Sequence, residues 1–128
     1  MDNKKMRYDI VIIEDIACIM VEGNLNSLDL MFMFQSKEYT GVLNQYKKIL
    51  IDYTNISGVV LTPEDIVAIT MLGKMGLENL GKITIIAAVN DSEHNVMKKI
   101  TKSIFSDSQS DIFVTDSKSN AMKILRST

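Results

Sequence analysis

The stretch ILIDYTNISGVVLTPEDI, residues 49–66, changes character twice in eighteen residues. With Lys48 it opens on a continuous apolar run, KILIDY, of the kind found in strands buried on both faces of a sheet. Asp52 closes that run, and a polar turn is expected after it. Thr62 then reads as a helix N-cap. Pro63 suits the first helical position, where a missing N–H costs nothing, and Asp65 stands where a capping box places its acid. The helix is expected to run through Ile66, Ile69, Leu72 and Met75 to about residue 79, with Gly81 as its stop. A strand, a turn and a helix in this order make the first half of a crossover connection between parallel strands.

Working upstream, YDIVII at residues 8–13 and ACIMVEG at residues 17–23 are apolar and β-branched around Glu14 and Asp15, which predicts a β-hairpin. NSLDLMFMFQSK follows, with Leu28, Met31, Phe32 and Gln35 spaced as one helical face and Asn26 or Ser27 as cap. Residues 39–46 show no regular pattern. Downstream, KITIIAAV at residues 82–89 predicts a second buried strand. SEHNVMKKITKSIF predicts an amphipathic helix with Val96, Met97, Ile100 and Ile104 inward and Lys98, Lys99 and Lys102 outward. SDIFVTD and SKSNAMKIL predict a last strand and a terminal helix. The predicted fold class is therefore α/β: a mixed sheet in the order β-β-α-β-α-β-α-β-α, its later part parallel, with helices on at least one face.

A chain of 128 residues, 46% hydrophobic and 23% charged, has room for one core. Residues 1–7 are expected to be a flexible tail and residues 8–128 a single domain. Net charge is −2 and the lysines are interspersed with acids, which argues against nucleic acid as a partner. Lys4, Lys5 and Arg7 read as part of the solvated tail. No apolar segment reaches the ~18 residues of a membrane span, and no signal peptide follows the N-terminal charges, so a cytoplasmic location is expected.

The chemistry legible in the residues is sparse. Cys18 and His94 are the single cysteine and histidine, so neither a disulfide within the chain nor a Cys/His zinc site can be assembled. Cys18 is expected in the core and His94 on the surface. Gly73 and Gly76 lack the strand–turn context of a phosphate loop and are expected to let their helix approach the sheet. No nucleophile with its base, no metal and no cofactor is expected, which places an enzyme last among the function classes. The run LDLMFMF at residues 28–34 carries more apolar residues than one buried stripe uses, and the chain holds 9 methionines. Met31, Phe32, Met33 and Phe34 are the candidate apolar interface, for a protein partner or a second copy in a homodimer. The alternative is a carrier or sensor of an apolar small molecule.

With this order of elements, and ILIDYTNISGVVLTPEDI at the third strand and the helix after it, the chain resembles a STAS-type domain, the fold of bacterial anti-sigma factor antagonists. More narrowly, it is similar to the small bacterial proteins described as like the stage II sporulation anti-sigma factor antagonist. The resemblance spans residues 8–125 as an order of elements. It is carried at residue level by ILIDYTNISGVVLTPEDI, KITIIAAV and IFVTDSKSNAMKIL. In the phosphoregulated antagonists the third strand ends in an Asp-x-Ser turn, and an Asp-Ser-Ser-Gly opens the next helix, its first Ser being the kinase target. Here Asp52 and Thr54 match the turn and Thr62 falls at the target position, while Leu61 replaces the Asp of that motif and Pro63 and Glu64 its Ser and Gly. The resemblance implies a non-enzymatic signalling module that binds another protein. Asp52, Thr54, Ser57, Thr62, Glu64 and Asp65 are its candidate switch and partner surface.

Overall fold

The computed structural model describes residues 4–77, 81–89, 95–106 and 110–128. Its sheet has five strands in the order β1-β2-β3-β4-β5. β1 (Arg7–Ile13) and β2 (Ile16–Asn26) form the expected antiparallel hairpin, pairing Ile13 with Ile16 across a two-residue turn. That turn needs left-handed backbone, which Glu14 adopts at φ 60°. β2 runs parallel to β3 (Lys48–Val60), β3 to β4 (Thr84–Ala88) and β4 to β5 (Asp111–Thr115). The mixed α/β sheet predicted from the sequence is thus observed.

Alternation along the strands divides the core in two. Ala17, Ile19, Ile49, Ile51, Tyr53, Ile85 and Ala87 face a layer built by α1 (Ser27–Gln35), α2 (Lys37–Gln45), α3 (Pro63–Met75) and α4 (Asn95–Phe105). Ile16, Cys18, Leu50, Ile86 and Ala88 face α5 (Lys118–Arg126), which buries Ala121, Met122 and Leu125 against them. Every residue of β4 is buried, as a strand covered on both faces requires. Cys18 is in the core, and Met97, Ile100 and Ile104 of α4 point inward as expected. His94 and residue 79 lie outside the described residues. None of the described helices is long and apolar enough to cross a membrane.

Several expectations are corrected. Residues 37–45 form α2, capped by Ser36, whose Oγ accepts from the Tyr39 N–H at 3.1 Å; only Tyr39 and Leu43 are buried in it, which left little periodicity to read. β3 does not end at Asp52 but runs on through the supposed turn to Val60. α3 stops at Met75, with Gly76 rather than Gly81 at its C-cap. Gly73 brings α3 against α4, not against the sheet: a Cβ there would stand 2.6 Å from the Ile104 side chain. The tail is packed from Lys4 onward. The Lys4 carbonyl accepts from the Asn24 N–H at 2.9 Å, Lys5 bridges to Asn24, and Met6 is buried.

Candidate functional site

β3 outlasts its neighbours on one side. β4 and β5 end opposite Asp52, at Ala88 and Thr115, while β3 continues beside β2 alone for eight more residues. Two β-bulges interrupt that continuation. Between Met20 and Glu22 of β2 the partner strand advances from Asp52 to Asn55, and between Gly23 and Asn24 it advances from Ile56 to Gly58. Each bulge puts one extra residue into β3, so core-facing positions fall at 49, 51 and 53, then at 56, then at 59.

The first bulge holds the Asp52 pair. The Thr54 hydroxyl and the Thr54 N–H both donate to Asp52 Oδ1, at 2.6 and 2.9 Å. Asp52 is only 2% exposed, on the α5 side of the sheet. Lys118, the first residue of α5, reaches the same region and places its Nζ 3.5 Å from Met20 Sδ. Cys18 reports this charge environment: burial pushes its thiol pKa up, Lys118 opposes the rise, and Asp52 adds to it. Asp52→Ala removes the acceptor shared by two donors. It is expected to lower stability by about 2 kcal/mol, with Asp52→Asn costing less because it keeps an oxygen acceptor. Urea midpoints of the two variants check this, and equal midpoints would mean that the pair does not hold the bulge.

The second bulge falls at Ser57, which is exposed. Beyond it, Thr62 caps α3 as the sequence predicts. Its Oγ1 accepts from the Asp65 N–H at 3.1 Å, and its own N–H donates to Asp65 Oδ2 at 2.9 Å. Thr62 and Glu64 are exposed and Asp65 is half-buried. The structure therefore does not gather the six candidate residues into one turn. Asp52 and Thr54 are together and largely buried, whereas Thr62, Glu64 and Asp65 stand at the far end of the β3 extension, roughly 25 Å away at ~3.3 Å per residue.

The candidate apolar interface also divides. Met33 and Phe34 are core residues of α1, with Phe34 edge-on to Tyr39 at 5.2 Å between ring centres, so only Phe32 and, in part, Met31 face outward. The helical face read from Leu28, Met31, Phe32 and Gln35 is real, but it is the solvent face, with Met31 half-buried at its edge.

Sequence reasoning passed over two adjoining concavities. Arg7, Tyr8, Asp9, Met20, Val21, Glu22 and Asn55 line a groove of about 370 Å³ beside the first bulge, and Lys4, Lys5 and Gly23 border a neighbouring one of about 350 Å³. Arg7 is ion-paired with Glu22 there. These linings carry too much charge for a carrier of apolar molecules. An apolar Met6 set among Lys4, Lys5 and Arg7 is the one signal in the sequence for this packing, and the structure buries it.

No family model matches the chain, and no curated protein matches its sequence. Among solved structures, the chain is similar to the crystal structure of an anti-sigma factor antagonist from Mycobacterium paratuberculosis, at a TM-score of 0.60 and 12% identity, over 95% of each chain. At that identity the likeness speaks for architecture, and it extends over nearly every element described above. The chain has a STAS-like fold.

Proposed function

We propose that the chain is a non-catalytic regulatory module that works in the cytoplasm by binding another protein through the start of α3. The STAS-like fold, shared with a protein described as an anti-sigma factor antagonist, supports the regulatory, protein-binding part of this reading. The observation that carries the surface assignment is the exposed capping box of α3, because it presents the Thr62 hydroxyl at the position where the resemblance to phosphoregulated antagonists puts their target.

The same geometry makes that surface sensitive to charge. Thr62 Oγ1 accepts from a helix N–H and lies within a turn of Glu64 and Asp65. A negative group on Oγ1 would stand against those two carboxylates and disrupt the reciprocal bonds of the box. A partner that fits the capped helix start would then be released. Asp52 and Thr54 hold the root of the β3 extension that carries this helix start.

The experiment is affinity capture from native lysate with wild type, Thr62→Ser and Thr62→Glu, identified by mass spectrometry. Thr62→Ser keeps the cap and is expected to retain the wild-type partner, and Thr62→Glu is expected to lose it. Thr62→Ala should lower stability by about 1 kcal/mol through the lost cap, as read by chemical unfolding. The same proteins retained by all three captured forms would overturn the assignment of this surface.

A further inference from the structure

α1 and α3 are apolar on both sides. Their inner faces enter the core through Leu30, Met33 and Phe34 and through Ile69. On the opposite side Leu28, Phe32, Val67, Met71 and Met75 are each 60–63% exposed. A surface helix ordinarily turns polar residues outward, and the two helices pack side by side in one layer, so their apolar stripes open on the same outer surface. The five side chains offer on the order of 500 Å², toward the upper end of the largest apolar patch on a typical monomer. The half-buried Met31, Ile66 and Leu72 border them. With this border the face approaches the ~800 Å² that each partner contributes to a standard interface.

The charges at its ends identify the occupant. At 100° per residue, Glu64, Val67, Met71, Lys74 and Met75 share about 100° of arc on α3. The stripe therefore begins on an acid and ends on a base. Two copies of α3 laid antiparallel about a two-fold axis passing between Val67 and Met71 would bring Glu64 of each copy toward Lys74 of the other, twice, over an apolar centre. An isologous contact demands this self-complementarity of one patch. Met71 beside the axis and Met75 at the helix end are flexible enough to let the surfaces conform to each other.

We infer that this face is the interface of a two-fold homodimer, formed by α3 against α3 of a second copy and flanked by Leu28 and Phe32. The inference stands apart from the regulatory reading above and does not require it.

Sedimentation equilibrium of the full chain is expected to show a dimer at about 100 µM. Met71→Lys and Phe32→Glu should each raise its dissociation constant about tenfold or more. Both positions are exposed in the single chain, so far-UV circular dichroism should stay unchanged. Charge reversal tests the antiparallel arrangement without touching the apolar centre. Glu64→Lys alone places lysine against lysine, and Lys74→Glu alone places acid against acid, so each should weaken self-association. An equimolar mixture of these two variants restores both ion pairs and should recover a heterodimer, visible by native mass spectrometry. A wild type that stays monomeric at about 100 µM overturns the inference, as does a dimer indifferent to Met71→Lys or a mixture no tighter than its components. A monomer that carries another protein or an apolar molecule on this face also overturns it.

Discussion

Gly23→Ala is expected to cost the fold about 3 kcal/mol, roughly 10 °C in melting temperature, although it adds a single methyl group. Gly23 sits at φ +86°, where an L side chain is strained by about 1 to 2 kcal/mol. The rest comes from contact. A Cβ there would stand 2.4 Å from the Lys5 carbonyl oxygen, a backbone atom that no rotamer change can remove. The N-terminal segment would have to lift away, loosening the hydrogen bond from the Asn24 N–H to the Lys4 carbonyl and the burial of Met6. Gly58→Ala is the control in the same strand pair. Its Cβ would be 3.3 Å from Asn24 Oδ1, the end of a movable side chain, so a loss below about 1 kcal/mol is expected. Thermal and urea unfolding of the two variants side by side decide the matter. Equal losses would mean that the crossing of the N-terminal segment contributes nothing.

Alkali is expected to unfold this protein through two tyrosines. Burial raises the pKa of Tyr39 and of Tyr53 well above the ordinary phenol value; proximity to Tyr53 adds to the first, and a hydrogen bond with Thr101 moderates the second. In the unfolded chain both titrate near pH 10. Above that pH the native state holds protons that the unfolded state has released, so stability falls as pH rises and is complete below the unfolded pKa. Each tyrosine contributes a slope of about 1.4 kcal/mol per pH unit, and together they remove about 3 kcal/mol by pH 11. Urea titrations at pH 8, 10 and 11 should show this loss, and Tyr39→Phe should show about half of it. At neutral pH the same variant separates burial from bonding. The Tyr39 hydroxyl is buried and has no hydrogen-bond partner among the described residues, so removing it should be neutral or stabilising by up to about 1 kcal/mol. Tyr39→Phe falling in parallel with wild type across the alkaline range would exclude Tyr39 as a source of the slope.

The sequence was legible where local chemistry and burial pointed the same way. The Thr62 capping box is written in four consecutive residues and formed as written. β4 is apolar throughout because both its faces are covered, and α4 has one wet and one dry side. Legibility failed where a tertiary contact supplied what the local pattern lacked. α2 contains Gly41 and Thr40, poor helix formers, and is held by Tyr39 and Leu43 entering the core one turn apart. The inner and outer faces of α1 and α3 are indistinguishable by composition because both are apolar, so the pattern sets Phe32 beside the buried Met33 and Phe34, and Met75 in line with the buried Ile69. The continuation of β3 was hidden because its inward positions leave the two-residue period at Tyr53–Ile56 and again at Ile56–Val59. Asp52 and Thr62 therefore looked like two ends of one turn when they are ends of a strand extension.

Those two bulges behave as frameshifts in the count of residues along β3, not in the faces of the strand. Each bulge absorbs its extra residue where it stands, so Tyr53, Ile56 and Val59 all face the helices although three residues separate each from the next. Losing the extra residue at either bulge would restore plain alternation there and leave every side chain beyond it on its proper face. The reach from the buried carboxylate to the exposed helix start can therefore change during evolution by single residues, taken up at a bulge, without disturbing the core.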